Sequence, residues 1–173
     1  MRRPRTKEIR QKAETLLSRH RIAAAPIPVE EIAAAEGARV RYSPFEGELA
    51  GMLVRGHGQT VIGVNSLHHP NRQRFTIAHE LGHLLLHKDE VHIDRSFRVN
   101  RRDEVSSLAV DPDEIEANRF AAELLMPYNL VMADLLECEI DLEDEDEIRR
   151  LAKKYEVSLQ AMTHRIINLL KLG

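Results

Sequence analysis

Residues 6–19 place Ile9, Ala13, Leu16 and Leu17 on one helical face and fill the other with bases, which predicts an amphipathic helix. "APIPVEEIAAAEGA" then reads as a turn, a short helix from about Val29 and a stop at Gly37. Three strand-like pieces follow, "ARVRYS", "LAGMLVR" and "QTVIGVN". The last two are joined by Gly56-His57-Gly58, a hairpin turn. Helical periodicity is strongest from roughly Pro70 to His87. Residues 88–110 are polar without a clear period and read as a long loop, with "SFRVN" the one strand candidate. Loops of this length inside a small domain tend to be functional.

A further helix opens with Asp111-Pro112-Asp113-Glu114: an N-cap, a proline at the first helical position, and acids placed for the helix dipole. It runs through "IEANRFAAELLM" and stops at Pro127. A helix over about Asn129 to Cys138 comes next. Ile148, Leu151, Ala152 and Tyr155 form another helical stripe. A Val157-Ser158 turn then leads into a last helix bearing Met162, Ile166, Leu169 and Leu170. The expected fold is α+β. A small three-stranded sheet, antiparallel or mixed, packs on the 70–87 helix; residues 1–128 form the main domain and residues 129–173 a helical, helix-turn-helix-like lobe.

At 173 residues, 43% hydrophobic and 31% charged, the chain can bury a core as one domain or one domain with an appendage. A net charge of −3 gives no global attraction to nucleic acid or an anionic membrane. The charge is uneven: residues 1–21 carry eight Arg or Lys against two Glu, and residues 137–147 hold eight Asp or Glu and no base. The single cysteine, Cys138, sits among Leu135, Leu136 and Ile140 as a small core hydrophobe and rules out an internal disulfide. The basic start lacks the apolar stretch of a signal peptide, and no run is long enough to span a bilayer. A cytoplasmic protein with no membrane partner is expected.

Against that ordinary background, "RFTIAHELGHLLLH" packs three histidines and a glutamate into an apolar run. Such groups are costly to bury unless something satisfies them. His79-Glu80-Leu81-Gly82-His83 is an HExxH pattern. Residues four apart on a helix lie one turn up and about 40° round, so both imidazoles can face one ion. Glu80 stands beside that ion, placed to take a proton from an attacking water. With nine His in the chain, about 0.05 matches arise by chance, so the pattern alone is not decisive. The bland alternative is a buried helix whose histidines bond to backbone carbonyls. Five of the nine histidines fall between positions 68 and 87, which favours the metal.

A catalytic zinc needs three protein ligands and one open position. His87 lies about 12 Å along the axis from His79 and is assigned to packing or capping. A third histidine in the metzincin spacing would need Gly at 86 and His at 89, where the chain has Leu86 and Asp89. In "DEIEANRFAAELLMP", Glu114 is assigned to the cap. Glu116 shares a stripe with Ala117, Phe120, Ala121 and Leu124, an acid among core positions, and is the expected third ligand. Glu123 is the runner-up, and small Ala117 would let the two helices approach closely. An acid at the exposed edge of the stripe is the alternative.

The two blocks "RFTIAHELGHLLLH" and "EIEANRFAAELLMP", with "DRSFRVNRRDEVSS" between them and "VIGVN" before, resemble the ImmA/IrrE-type metallopeptidases. The resemblance covers residues 25–130 well and the rest loosely. It implies a zincin-like, zinc-dependent endopeptidase of the His2Glu kind, with one ion on His79, His83 and Glu116 and a general base at Glu80. It also implies a protein substrate, a helix-turn-helix transcriptional repressor whose cleavage derepresses stress or mobile-element genes. A bound zinc would acidify water and polarise the scissile carbonyl. Glu80 would take the water's proton and pass it to the leaving amine. Tyr128, His164, Arg98 and Arg101 are candidate donors to the oxyanion. Ligand type discriminates weakly, so another divalent ion such as Mn2+ stays open.

Two other readings belong to different classes. "IRRLAKKYEVSLQAMTHRI" has the helix–turn–helix order of a DNA-binding module, but the acidic run before it repels phosphate. A structural helix pair or substrate-docking lobe suits it better. The other reading is a metal-controlled sensor that cuts nothing. Glu80 weighs against it, because a purely structural site has no use for a base.

Overall fold

A computed structural model describes residues 5–47, 49–56, 58–87, 91–94 (backbone only), 111–137 and 144–171. Helix α1 (Thr6–Arg19) buries the expected stripe of Ile9, Ala13, Leu16 and Leu17. Helix α2 (Val29–Ala35) stops before Gly37, whose φ of 88° is one that a side chain would resist. Strands β1 (Ala38–Ser43), β2 (Gly51–Gly56) and β3 (Gln59–Asn65) fall on the three alternating stretches, with Gly58 at φ 74° in the β2–β3 turn. A fourth short strand, β4 (Val91–Asp94), adds to the expected three; its four residues are too few to show a period. "SFRVN" lies outside the described residues. The sheet is mixed, in the order β1-β3-β2-β4, with β1 parallel to β3 and β2 antiparallel to both its neighbours. Leu53, Ile62 and Val64 are buried in its core-facing surface, at about 1.5–3 kcal/mol for each side chain removed from water.

Helix α3 (Pro70–Leu86) lies against β2 and β3. It starts where His69 Nδ1 accepts from the Asn71 amide at 3.2 Å and Pro70 takes the first helical position. At its other end the Arg55 guanidinium, reaching from β2, donates to the carbonyls of His83, Leu84 and His87, each at 3.1 Å. The last carbonyls of a helix lack enough amide donors, and a cation suits that end; the His83 carbonyl accepts from the His87 amide as well. Helix α4 (Pro112–Leu125) is capped by Asp111, which accepts from the Asp113 amide at 3.0 Å. Gly82 is where α3 and α4 meet. A Cβ there would lie 3.2 Å from Ala117 Cα and 3.2 Å from Phe120 Cδ1, so the absent side chain is what lets the two backbones close up.

Helices α5 (Tyr128–Glu137), α6 (Glu145–Tyr155) and α7 (Leu159–Leu170) complete the fold. Glu156, at φ 52°, turns the chain out of α6, and Ser158 caps α7 by accepting from the Ala161 amide. These helices share the core of the rest: one buried apolar cluster runs from Ile9 through Phe120 to Tyr155 and Leu169. Asn71 Nδ2 donates to the Val157 carbonyl at 2.9 Å, tying the start of α3 to the α6–α7 turn. Among the described residues, no helix is long and apolar enough to cross a membrane.

Candidate metal centre

The helical repeat stacks His79 and His83 on the face of α3 that α4 covers, at 1% and 2% exposure. Their Nε2 atoms lie 3.0 Å apart. Glu114, in the first turn of α4, brings Oε2 to 3.4 Å from His79 Nε2 and Oε1 to 3.2 Å from His83 Nε2.

The outer ring nitrogens fix what these atoms can do. His79 Nδ1 lies 3.0 Å from Asn118 Oδ1, an acceptor, so Nδ1 carries the proton and the neutral ring turns its Nε2 lone pair inward. On the other side a chain of contacts does the same for His83. His87 Nε2 faces Glu116 Oε2 at 3.4 Å and donates to it; His87 Nδ1 then accepts from His83 Nδ1 at 3.0 Å. This leaves the His83 lone pair on Nε2. Glu116 is kept ionised for its part: hydrogen bonding from Arg5, opposed by burial, lowers its pKa to about 2. Arg5 Nη2 sits 2.6 Å from Oε2.

Two imidazole lone pairs 3.0 Å apart, each with one oxygen of the same carboxylate at 3.2–3.4 Å, repel one another unless something positive sits among them. A proton bridges two atoms, whereas a metal ion could take a donor atom from each of the three residues. Ligands at 2.0–2.1 Å from such an ion stand about 3.3 Å apart, the spacing found here. Glu80 follows His79 on α3 and is fully buried, with the sheet close behind it: a Cβ on Gly51 of β2 would come to 3.3 Å from Glu80 Oε1.

The expected residues are therefore only partly brought together. His79 and His83 converge, but the carboxylate that completes their cluster among the described residues is Glu114, not Glu116. Glu116 instead forms a second group with His87 and Asp113 and is bonded to Arg5. The difference from the expected arrangement has a local cause. Glu114 stands where a capping-box glutamate would; Asp111 serves the cap, and the Glu114 carboxylate reaches His79 and His83 on α3. Glu123 is buried against Arg165 of α7. Tyr128 has its ring under the Arg10 guanidinium, 3.7 Å away. His164 lines a groove beside Asn118. Arg98 and Arg101 lie outside the described residues. His87 is more than packing, because its ring joins His83 to Glu116.

Residues 33–166 match the peptidase family described as the IrrE N-terminal-like domain, Peptidase_M78. The chain belongs to that family. A "Mycobacterium tuberculosis transcriptional regulator" shares the fold, at 18% identity and a TM-score of 0.60, over 92% of this chain and 46% of that one. The chain thus spans less than half the length of that regulator. No curated protein matches the sequence. Membership of a metallopeptidase family agrees with a metal on the His–Glu cluster. Glu114 and Asn118, which sequence reasoning passed over as site residues, repeat on α4 the four-residue interval of His79 and His83 on α3. That interval was the available signal.

Proposed function

We propose that the chain is a zinc-dependent endopeptidase in which His79, His83 and Glu114 hold one zinc ion and Glu80 is the general base. The observation that carries this reading is the pair of inward-facing imidazole nitrogens, 3.0 Å apart and each 3.2–3.4 Å from an oxygen of Glu114, whose ring protons are committed outward to Asn118 and His87. When bound, the ion would supply an acidified water and a polarised scissile carbonyl. Glu80, held between the sheet and α3, accepts the water's proton and returns it to the leaving amine. His164, Arg98, Arg101 and Tyr128 are the candidates for donating to the oxyanion. Of these, His164 has the best support, since it lines the groove that Asn118 also lines. Another divalent ion such as Mn2+ fits the same donors.

The substrate we infer is a helix-turn-helix transcriptional repressor in the cytoplasm, cut to derepress stress or mobile-element genes. The family match and the regulator-like fold neighbour support that class. The test mixes purified protein, zinc and candidate repressors from neighbouring genes, then maps fragments by mass spectrometry. Specific cutting by the wild type, with none by a Glu80→Gln variant that still carries zinc, is the expected result. Equal cutting by that variant removes Glu80 from its role, and failure of the wild type to retain zinc removes the whole reading.

A further inference from the structure

The facing stripes of α3 and α4 do not end at the His–Glu cluster. On α4, Glu114, Asn118 and Ala122 follow one another at four-residue intervals. The first lies at the cluster, the second bonds His79 and lines a groove, and the third lines only the groove. The groove has a volume of about 1010 Å³ and runs between α3, α4, α6 and α7. Its apolar lining includes Phe75, Met126 and Leu159. Five of its lining residues are cationic (Arg72, Arg119, Arg149, Lys153 and Arg165), and none is Asp or Glu, in a chain whose net charge is −3.

These cations are not all neutralised. Arg165 is matched by Glu123, and Arg149 by Glu145. Arg119, however, stands 3.7 Å from Glu123, whose nearer partner is Arg165, and its Nε is buried with no hydrogen-bond partner. Lys153 is exposed on the rim. The first turn of α7 adds the positive end of a twelve-residue helix dipole.

We propose that this groove binds an acidic, partly apolar segment of a protein and leads it to the metal centre. Apolar lining under a cationic rim suits side chains such as Leu beside Asp or Glu. It suits a nucleic-acid backbone less well, because a run of phosphates makes no use of the apolar lining. That the bound segment is also a substrate rests on the peptidase reading above; the binding itself does not.

The test uses the full chain, zinc-loaded and carrying Glu80→Gln, with fluorescein-labelled peptides of alternating Asp and Leu or of alternating Lys and Leu, read by fluorescence anisotropy. The acidic peptide should bind and the basic one should not. An Arg149→Glu/Lys153→Glu variant, with unchanged zinc content and melting temperature, should bind the acidic peptide at least about tenfold more weakly and gain affinity for the basic one. Equal binding of both peptides overturns the proposal. So does tighter binding of a DNA duplex lost in the same variant, which would assign the groove to nucleic acid. Acidic-peptide binding together with no cutting by the zinc-loaded wild type leaves the groove standing and removes the peptidase reading; cutting by the wild type without acidic-peptide binding does the reverse.

Discussion

His79 Nδ1 lies 3.0 Å from Asn118 Oδ1, so a side chain on α4 sets the tautomer of a histidine on α3. Partners of this kind typically contribute about 10–100-fold to metal affinity by holding the ring and its lone pair in place. Asn118→Ala should therefore weaken zinc binding by about that factor, read by competition with a chromogenic chelator. Asn118→Asp, which keeps the acceptor, should restore it. An alanine variant with wild-type affinity would show that His79 needs no such partner.

Glu114 and Glu116 are two residues apart, and the proposed site gives them different duties. Removing a ligand costs more than removing a group that acts through one. Glu114→Ala should lose more zinc affinity than the about 10–100-fold expected of Glu116→Ala, which only releases the His87–His83 chain. Elemental analysis and chelator competition on both variants decide the matter. The opposite order would return Glu116 to the place its sequence stripe suggested.

That reversal shows where the sequence was legible. Long periodic elements read well: the α1 stripe, the α3 repeat and the Asp111 cap are where the spacing puts them, because burying an apolar face is a demand that local sequence records. Gly82 and Ala117 carried the close approach of α3 and α4, of which only the Ala117 half was anticipated. Glu114 and Glu116 could not be told apart in the same way. Both are acids near one helix start, and the choice depends on Arg5, 111 residues from Glu116, donating to it and neutralising its charge. No window of local sequence contains that partner. The long-range bond between α4 and α7 escaped for the same reason.

That bond is the Glu123–Arg165 pair, with Arg165 also donating through Nε to the Met126 carbonyl at 2.9 Å. Both residues are buried, at 4% and 6% exposure. Deleting one partner of a buried pair leaves the other's charge without its match, at about 3–5 kcal/mol. Arg165→Met should lower stability to urea by that order. Glu123→Gln combined with Arg165→Met should recover much of the loss. A single variant as stable as the wild type would mean that the carboxylate finds enough in Arg119, 3.7 Å away.

Tyr155 and Tyr42 predict how the fold responds to alkali. Burial, and then its hydrogen bond to Asp134, raises the Tyr155 pKa far above the usual 10.0. Partial burial of its ring, and then the hydrogen bond to Glu30, pushes the half-exposed Tyr42 up to about 12. In the unfolded chain both phenols ionise near pH 10, while the native state holds their protons. The unfolded state thus binds fewer protons above that pH, and stability, fully present below about pH 10, falls as pH rises through the native pKa values. Tyr155→Phe removes one of the two phenols and one hydrogen bond. It should cost about 1 kcal/mol at pH 7 and make the alkaline decline shallower, measured as urea midpoints from pH 7 to 11. Parallel declines in wild type and variant would place the alkaline sensitivity elsewhere than Tyr155.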